Sequence, residues 1–115
     1  MNPGKYSIKF YRGTTLDLSL TYAIDGVLVN LAGYTADMKV RPDAASTTLI
    51  TEFSTTNGRI VLNATTGLIE ITMTATDSAL LPIGEYVYDL NVTSSGGVVS
   101  KLLRGGFVVL DPVTE

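Results

Sequence analysis

A chain of 115 residues that is 45% hydrophobic and 17% charged can bury one core and is too apolar for intrinsic disorder. Its net charge of −3, from 8 Lys and Arg against 11 Asp and Glu, argues against an electrostatic nucleic-acid binder. Having no Cys and no His, it lacks disulfides, thiolate chemistry, imidazole bases, Ser-His-Asp triads and nearly all structural zinc sites.

The opening Met1-Asn2-Pro3-Gly4-Lys5-Tyr6 has neither the charged segment, the apolar stretch nor the cleavage site of a signal peptide. A chain complete from Met1 and made inside the cell is expected. No apolar run approaches the length of a membrane span, so no membrane partner is expected. The sequons Asn63-Ala64-Thr65 and Asn91-Val92-Thr93 therefore read as ordinary turn and strand residues.

Ser, Thr and Gly are abundant and the apolar residues recur with period two, the rhythm of an antiparallel all-β domain. A first strand over 5–11 sets Tyr6, Ile8 and Phe10 on one face. The second alternates through Leu16, Leu18, Leu20 and Tyr22, with Thr15, Asp17, Ser19 and Thr21 opposite. Asp25-Gly26 is a two-residue hairpin turn leading into Val27-Leu28-Val29, because both residue types tolerate positive φ. Tyr34, Ala36, Met38 and Val40 line one face of the next strand, which Pro42 ends by removing a ladder donor. Asp43 to Ser46 reads as a loop and 48–53 as a less regular strand. Asn57-Gly58 is a second turn, followed by a strand over 59–62.

Over 68–74 alternation resumes, with Ile69, Ile71 and Met73 inward. Residues 76–82 are the one helix-like segment: Thr76 can cap it, Asp77 suits its positive end and Pro82 stops it. A strand over 85–93 turns Tyr86, Tyr88, Leu90 and Val92 inward. Ser94-Ser95-Gly96-Gly97 then leads into a last strand over 98–110, where Gly105-Gly106 is expected to form a bulge that swaps faces. No internal repeat or linker interrupts the chain, so residues 1–115 read as one domain.

The order of elements over 68–110, a strand, a helical corner, a tyrosine-bearing strand, a hairpin and a long last strand, resembles the second half of an immunoglobulin-like sandwich. The usual core Cys and Trp are absent, which excludes an antibody-type domain and leaves the architecture open. The expected fold is thus an all-β, immunoglobulin-like antiparallel β-sandwich with one short helical turn near 76–81.

A resemblance covering more of the chain rests on Arg12-Gly13-Thr14-Thr15-Leu16-Asp17-Leu18, Val29-Asn30-Leu31-Ala32-Gly33-Tyr34-Thr35-Ala36 and Leu81-Pro82-Ile83-Gly84-Glu85-Tyr86-Val87-Tyr88-Asp89-Leu90. These segments are similar to small tailed-bacteriophage proteins related to the N-terminal domain of baseplate upper proteins, in which a β-sandwich docks onto other virion proteins. The resemblance implies a non-enzymatic virion structural protein, made and assembled in the host bacterial cytoplasm. It would serve as an adaptor in the tail, baseplate or fibre-attachment region and contact other virion proteins as a symmetric multimer. Baseplate upper proteins continue into a helical or fibre-bearing region, whereas this sequence ends at Asp111-Pro112-Val113-Thr114-Glu115, so the docking module alone is expected. A capsid decoration protein and a carbohydrate- or receptor-binding module are the alternatives.

Asp17, Asp37, Glu70, Glu85 and Asp89 fall on outward faces, where a carboxylate pair for glycoside hydrolysis can be imagined. A solvated sheet face is the plainer reading, and neither a catalytic residue, a metal nor a cofactor is expected. Gly96-Gly97 and Gly105-Gly106 lack phosphate-loop spacing. Lys5, Lys9, Arg12, Arg59, Lys101 and Arg104 could form a basic patch, but they are scattered along the chain, and no nucleic-acid partner is expected. Tyr6, Phe10, Tyr11, Arg12 and Arg104 are the candidate partner-binding residues. Either the N-terminal aromatics anchor a partner, or Tyr6 and Phe10 are core and only Tyr11 with Lys9 and Arg12 is available. The long last strand, if at an edge, must be covered, bulged or completed by a neighbouring subunit.

Overall fold

Eleven strands and one helical turn make up the computed structural model, which describes residues 4–43 and 45–111. The opening residues 1–3, Ala44 of the expected 43–46 loop and the closing residues 112–115 lie outside the described residues. The strands are β1 (Gly4–Lys5), β2 (Ile8–Tyr11), β3 (Leu16–Thr21), β4 (Ala23–Ile24), β5 (Val27–Leu28), β6 (Thr35–Arg41), β7 (Thr51–Ser54), β8 (Ile60–Leu62), β9 (Leu68–Met73), β10 (Gly84–Thr93) and β11 (Val99–Leu110), with α1 (Ala75–Ser78) between β9 and β10.

The larger sheet runs β1-β11-β10-β6-β7, with β2 also on β11, and the smaller runs β3-β9-β8. Alternation decides which side of each is dry. Met38, Val40, Phe53, Tyr88, Leu90, Val92, Phe107 and Val109 from the larger sheet meet Leu16, Ile60, Ile69, Ile71 and Met73 from the smaller one in a single buried cluster. At its centre the fully buried Phe107 ring meets Phe10 edge-on at 5.4 Å, with Phe53 at 6.2 Å and Tyr88 at 6.5 Å. Such edge-to-face contacts add to the burial of aromatic area.

The division of strands is that of an immunoglobulin-like sandwich, and the corner before β10 carries a further mark of it. The Tyr86 hydroxyl donates back to the Pro82 carbonyl at 2.9 Å, a tyrosine corner. Two residues on, where antibody domains place a disulfide cysteine, stands the buried Tyr88. α1 begins one turn-residue pair earlier than expected. Thr74, not Thr76, caps it, its hydroxyl accepting from the Asp77 N–H at 3.2 Å. The fully buried Ser78 ties this corner to the Arg12-Gly13-Thr14 turn: its Oγ accepts from the Gly13 N–H at 3.0 Å and donates to the Thr14 carbonyl at 2.7 Å.

Several expectations need correction. The sandwich is not wholly antiparallel, because β1 and β2 both run parallel to β11. The first strand is broken at Tyr6-Ser7, so Tyr6 is 49% exposed while Ile8 and Phe10 are buried. β11 is therefore not an edge over most of its length; the N-terminal strands cover it. Its bulge lies at Leu102, where pairing passes from Leu90↔Leu103 to Asn91↔Lys101, and not at Gly105-Gly106, which pair in register. The face swap occurs three residues earlier than the glycines suggested. Asn57-Gly58 does turn the chain, but it carries it from the larger sheet to the smaller one instead of closing a hairpin. Asp25-Gly26 behaves as expected, with φ of 52° and 80° closing the β4–β5 ribbon, a separate two-stranded sheet among the described residues.

Candidate functional site: a basic concavity and an open sheet edge

The pairing register brings charged residues from five strands into one row on the outer face of the larger sheet. Glu52 lies opposite Lys39, Lys39 opposite Asp89, Asp89 opposite Arg104, and Arg104 opposite Lys5. Directly paired residues point to the same side, and the buried Met38, Val40, Tyr88 and Leu90 show that this row points outward. Arg41 and Lys101 flank it and complete a concavity of about 350 Å³ whose lining includes Lys5, Lys39, Arg41, Lys101, Arg104 and the single carboxylate Asp89.

Asp89 is the internal counter-ion. Lys101 Nζ lies 3.0 Å from its Oδ2, and Arg41 Nη1 lies 3.9 Å from its Oδ1. Oδ1 is buried and accepts no hydrogen bond among the described residues. Lys39 turns to Asp37 at 3.7 Å. Among the described residues, Lys5 and Arg104 have no carboxylate partner.

The wall behind the row depends on Tyr88. Its hydroxyl donates to the Tyr6 carbonyl at 2.7 Å, closing the step between β1 and β2, and the Tyr6 N–H donates to the Arg104 carbonyl at 3.1 Å. Burial, and then the neighbouring Tyr6 phenol, push the Tyr88 pKa up from 10.0 to about 12. The folded state thus keeps a proton that the unfolded chain loses first, so this contribution is complete below pH 10 and disappears as pH rises to about 12. An ultraviolet titration is expected to show a late tyrosine component that Tyr88→Phe removes, and stability should fall by about 2–3 kcal/mol across that window. A titration curve whose high-pH end is the same in Tyr88→Phe would contradict the burial of this phenol.

The five expected partner-binding residues do not form one surface. Arg104 lines the concavity, and Tyr6 is tied to it by the bond from its N–H to the Arg104 carbonyl. Tyr11 and Arg12 sit at the far end of β2, where Tyr11 is 53% exposed and the Arg12 N–H donates to the Leu110 carbonyl at 3.0 Å. Phe10 belongs to the core against Phe107, so its ring is not offered to a partner. Of the dispersed basic residues, Lys5, Lys101 and Arg104 do converge, and Lys39 and Arg41 join them. Arg59 is drawn instead to Asp77 at 3.0 Å and the Glu52 carbonyl at 2.9 Å, over the Phe53 ring.

The outward carboxylates divide between faces. Asp37, Glu85 and Asp89 belong to the larger sheet, Asp17 and Glu70 to the smaller. Among the described residues no group of three or more His, Cys, Asp or Glu could hold a metal, and no helix is long and apolar enough to cross a membrane. Two features escaped the sequence reading. Among the described residues β2 pairs with β11 on one side and leaves its other side open, and the β4–β5 ribbon exposes Ile24, Val27 and Leu28.

No protein-family model and no curated protein matches the chain. Among solved structures it is similar to extracellular domains 3–5 of Drosophila OTK, at 16% identity and a TM-score of 0.40 over 96% of this chain. The match spans 34% of that structure's chain, about a third of its length. The assignment of the fold rests on the sheet orders and the tyrosine corner described above.

Proposed function

We propose that the chain is a non-enzymatic docking module of a tailed-bacteriophage particle, an adaptor in its tail, baseplate or fibre-attachment region. Support for the phage context is the sequence resemblance of the segments at 12–18, 29–36 and 81–90. The observation that carries docking is the open side of β2. Among the described residues Ile8–Tyr11 pairs with β11 alone, and its exposed Lys9 and Tyr11 alternate with the buried Ile8 and Phe10. A strand or loop of a neighbouring virion protein can add there, gaining main-chain hydrogen bonds along the edge and the Tyr11 ring as an anchor. Particle symmetry would repeat the contact.

Quantitative mass spectrometry of particles of the phage that encodes the chain tests this reading. A few copies set by tail symmetry are expected. Copies in simple proportion to the major capsid protein would favour decoration of the capsid, and absence from the particle would overturn the proposal.

The double variant Tyr11→Ala with Arg12→Ala is expected to lose incorporation. Its stability should stay within roughly 1 kcal/mol of the parent, because the backbone bonds at both positions survive the change. Incorporation at parental levels would remove β2 from the interface.

A further inference from the structure

We propose that the basic concavity on the outer face of the larger sheet is a docking site for an acidic segment of a partner protein. It goes beyond docking through β2, because it lies on a face and not an edge. A chain of net charge −3 lines this concavity with five of its 8 Lys and Arg and one of its 11 Asp and Glu, while Asp37 and Glu52 adjoin it at Lys39 alone, and the rest of the chain is acidic. Like charges on neighbouring strands repel, and Asp89 offsets only part of that repulsion through Lys101 and Arg41. Lys5 and Arg104 remain available as anchors, and a carboxylate laid between them would gain two charge-assisted contacts on a partly enclosed surface.

The footprint favours a short peptide over a long polyanion. From Lys39 to Lys5 the row crosses three strand spacings, about 14 Å, room for two or three carboxylates of an extended segment. Beyond that footprint the acidic remainder of the domain would repel a continuing phosphate chain within a Debye length of about 10 Å. Among the described residues of the lining the one aromatic is Tyr88, which is buried against Phe107 and so offers no open ring face for a base to stack on.

Titration of the full chain with a blocked hexaglutamate peptide at low ionic strength, followed by amide chemical shifts, tests the inference. Shifts centred on Lys39, Asp89, Arg104 and Lys5 are expected, weakening as salt is added. Lys5→Glu with Arg104→Glu should weaken binding by about tenfold or more. Asp89→Asn, which removes the competing internal carboxylate, should strengthen it, an outcome that mere structural damage would not give. Shifts elsewhere or none, equal shifts with inorganic phosphate at matched charge, tighter binding of a sulfated oligosaccharide or a single-stranded oligonucleotide, or weaker binding by Asp89→Asn would each overturn it. The titration involves no particle and leaves β2 untouched, so its failure and a failure of the adaptor reading are separate results.

Discussion

Phe107→Ala is expected to cost about 3–5 kcal/mol and to lower the melting temperature by more than about 10 °C. Phe107 is fully buried where the N-terminal strand, β7 and β10 converge, and its ring touches those of Phe10, Phe53 and Tyr88. Truncation removes the transfer energy of the ring and leaves a cavity bounded by three other aromatics, which cannot all close on it. Against a total stability of about 5–15 kcal/mol for a domain of this size, that is a large share. Phe107→Leu, which keeps most of the volume, should recover more than half of the loss in a denaturant titration. A loss below about 1 kcal/mol for the alanine variant would mean that the core is not centred here.

The second large effect is expected at Gly105. A methyl group there would collide with the Tyr6 carbonyl oxygen and sit 2.8 Å from its carbonyl carbon. Both atoms are backbone, so the first strand itself must move. Gly105 has no left-handed φ, and what the glycine supplies is space. Gly105→Ala should therefore detach β1 from β11, breaking the Tyr6 N–H bond to the Arg104 carbonyl and the Tyr88 hydroxyl bond to Tyr6, at a cost of about 2–4 kcal/mol. The late tyrosine of the ultraviolet titration should move back toward 10.0 in the same variant. The adjacent Gly106, where an added methyl would meet nothing closer than 3.9 Å, should tolerate alanine with a much smaller loss. Equal effects at the two glycines would contradict the crossing of β1 over Gly105.

These contacts mark where the sequence could be read and where it could not. Alternation through Leu16, Leu18 and Leu20, through Ala36, Met38 and Val40, and through Tyr88, Leu90 and Val92 reports the inner faces directly, since a strand buried on one side must repeat with period two. Asp25-Gly26 and Pro42 act within a residue or two of their own positions, and they were legible for that reason. The break at Tyr6-Ser7 was not. It has no glycine or proline of its own, and its cause is a hydroxyl 82 residues away together with a glycine on another strand. Likewise the bulge at Leu102 lies beside two glycines that look like better candidates, but Gly105 is reserved for the approach of Tyr6.

The basic concavity belongs to the same class. Lys39 and Arg41 could be assigned to an outer face from alternation alone, as could Asp89. That they meet Arg104 and Lys5 depends on the order β1-β11-β10-β6 and on its register, neither of which any local pattern encodes. Scattered in sequence, these residues looked like separate solvated charges. Arg59 shows the converse, a basic residue that could have joined a patch but is held at a corner by Asp77 and the Glu52 carbonyl.

Amide hydrogen exchange of the chain, free and then incorporated into particles, tests most directly that β2 is the edge through which the domain docks. The free domain should exchange rapidly along the open side of Ile8–Tyr11, and assembly should slow those amides while leaving the outer edges of β3 and β8 unchanged. Unaltered exchange in β2, with new protection appearing on the three-stranded sheet instead, would contradict the account.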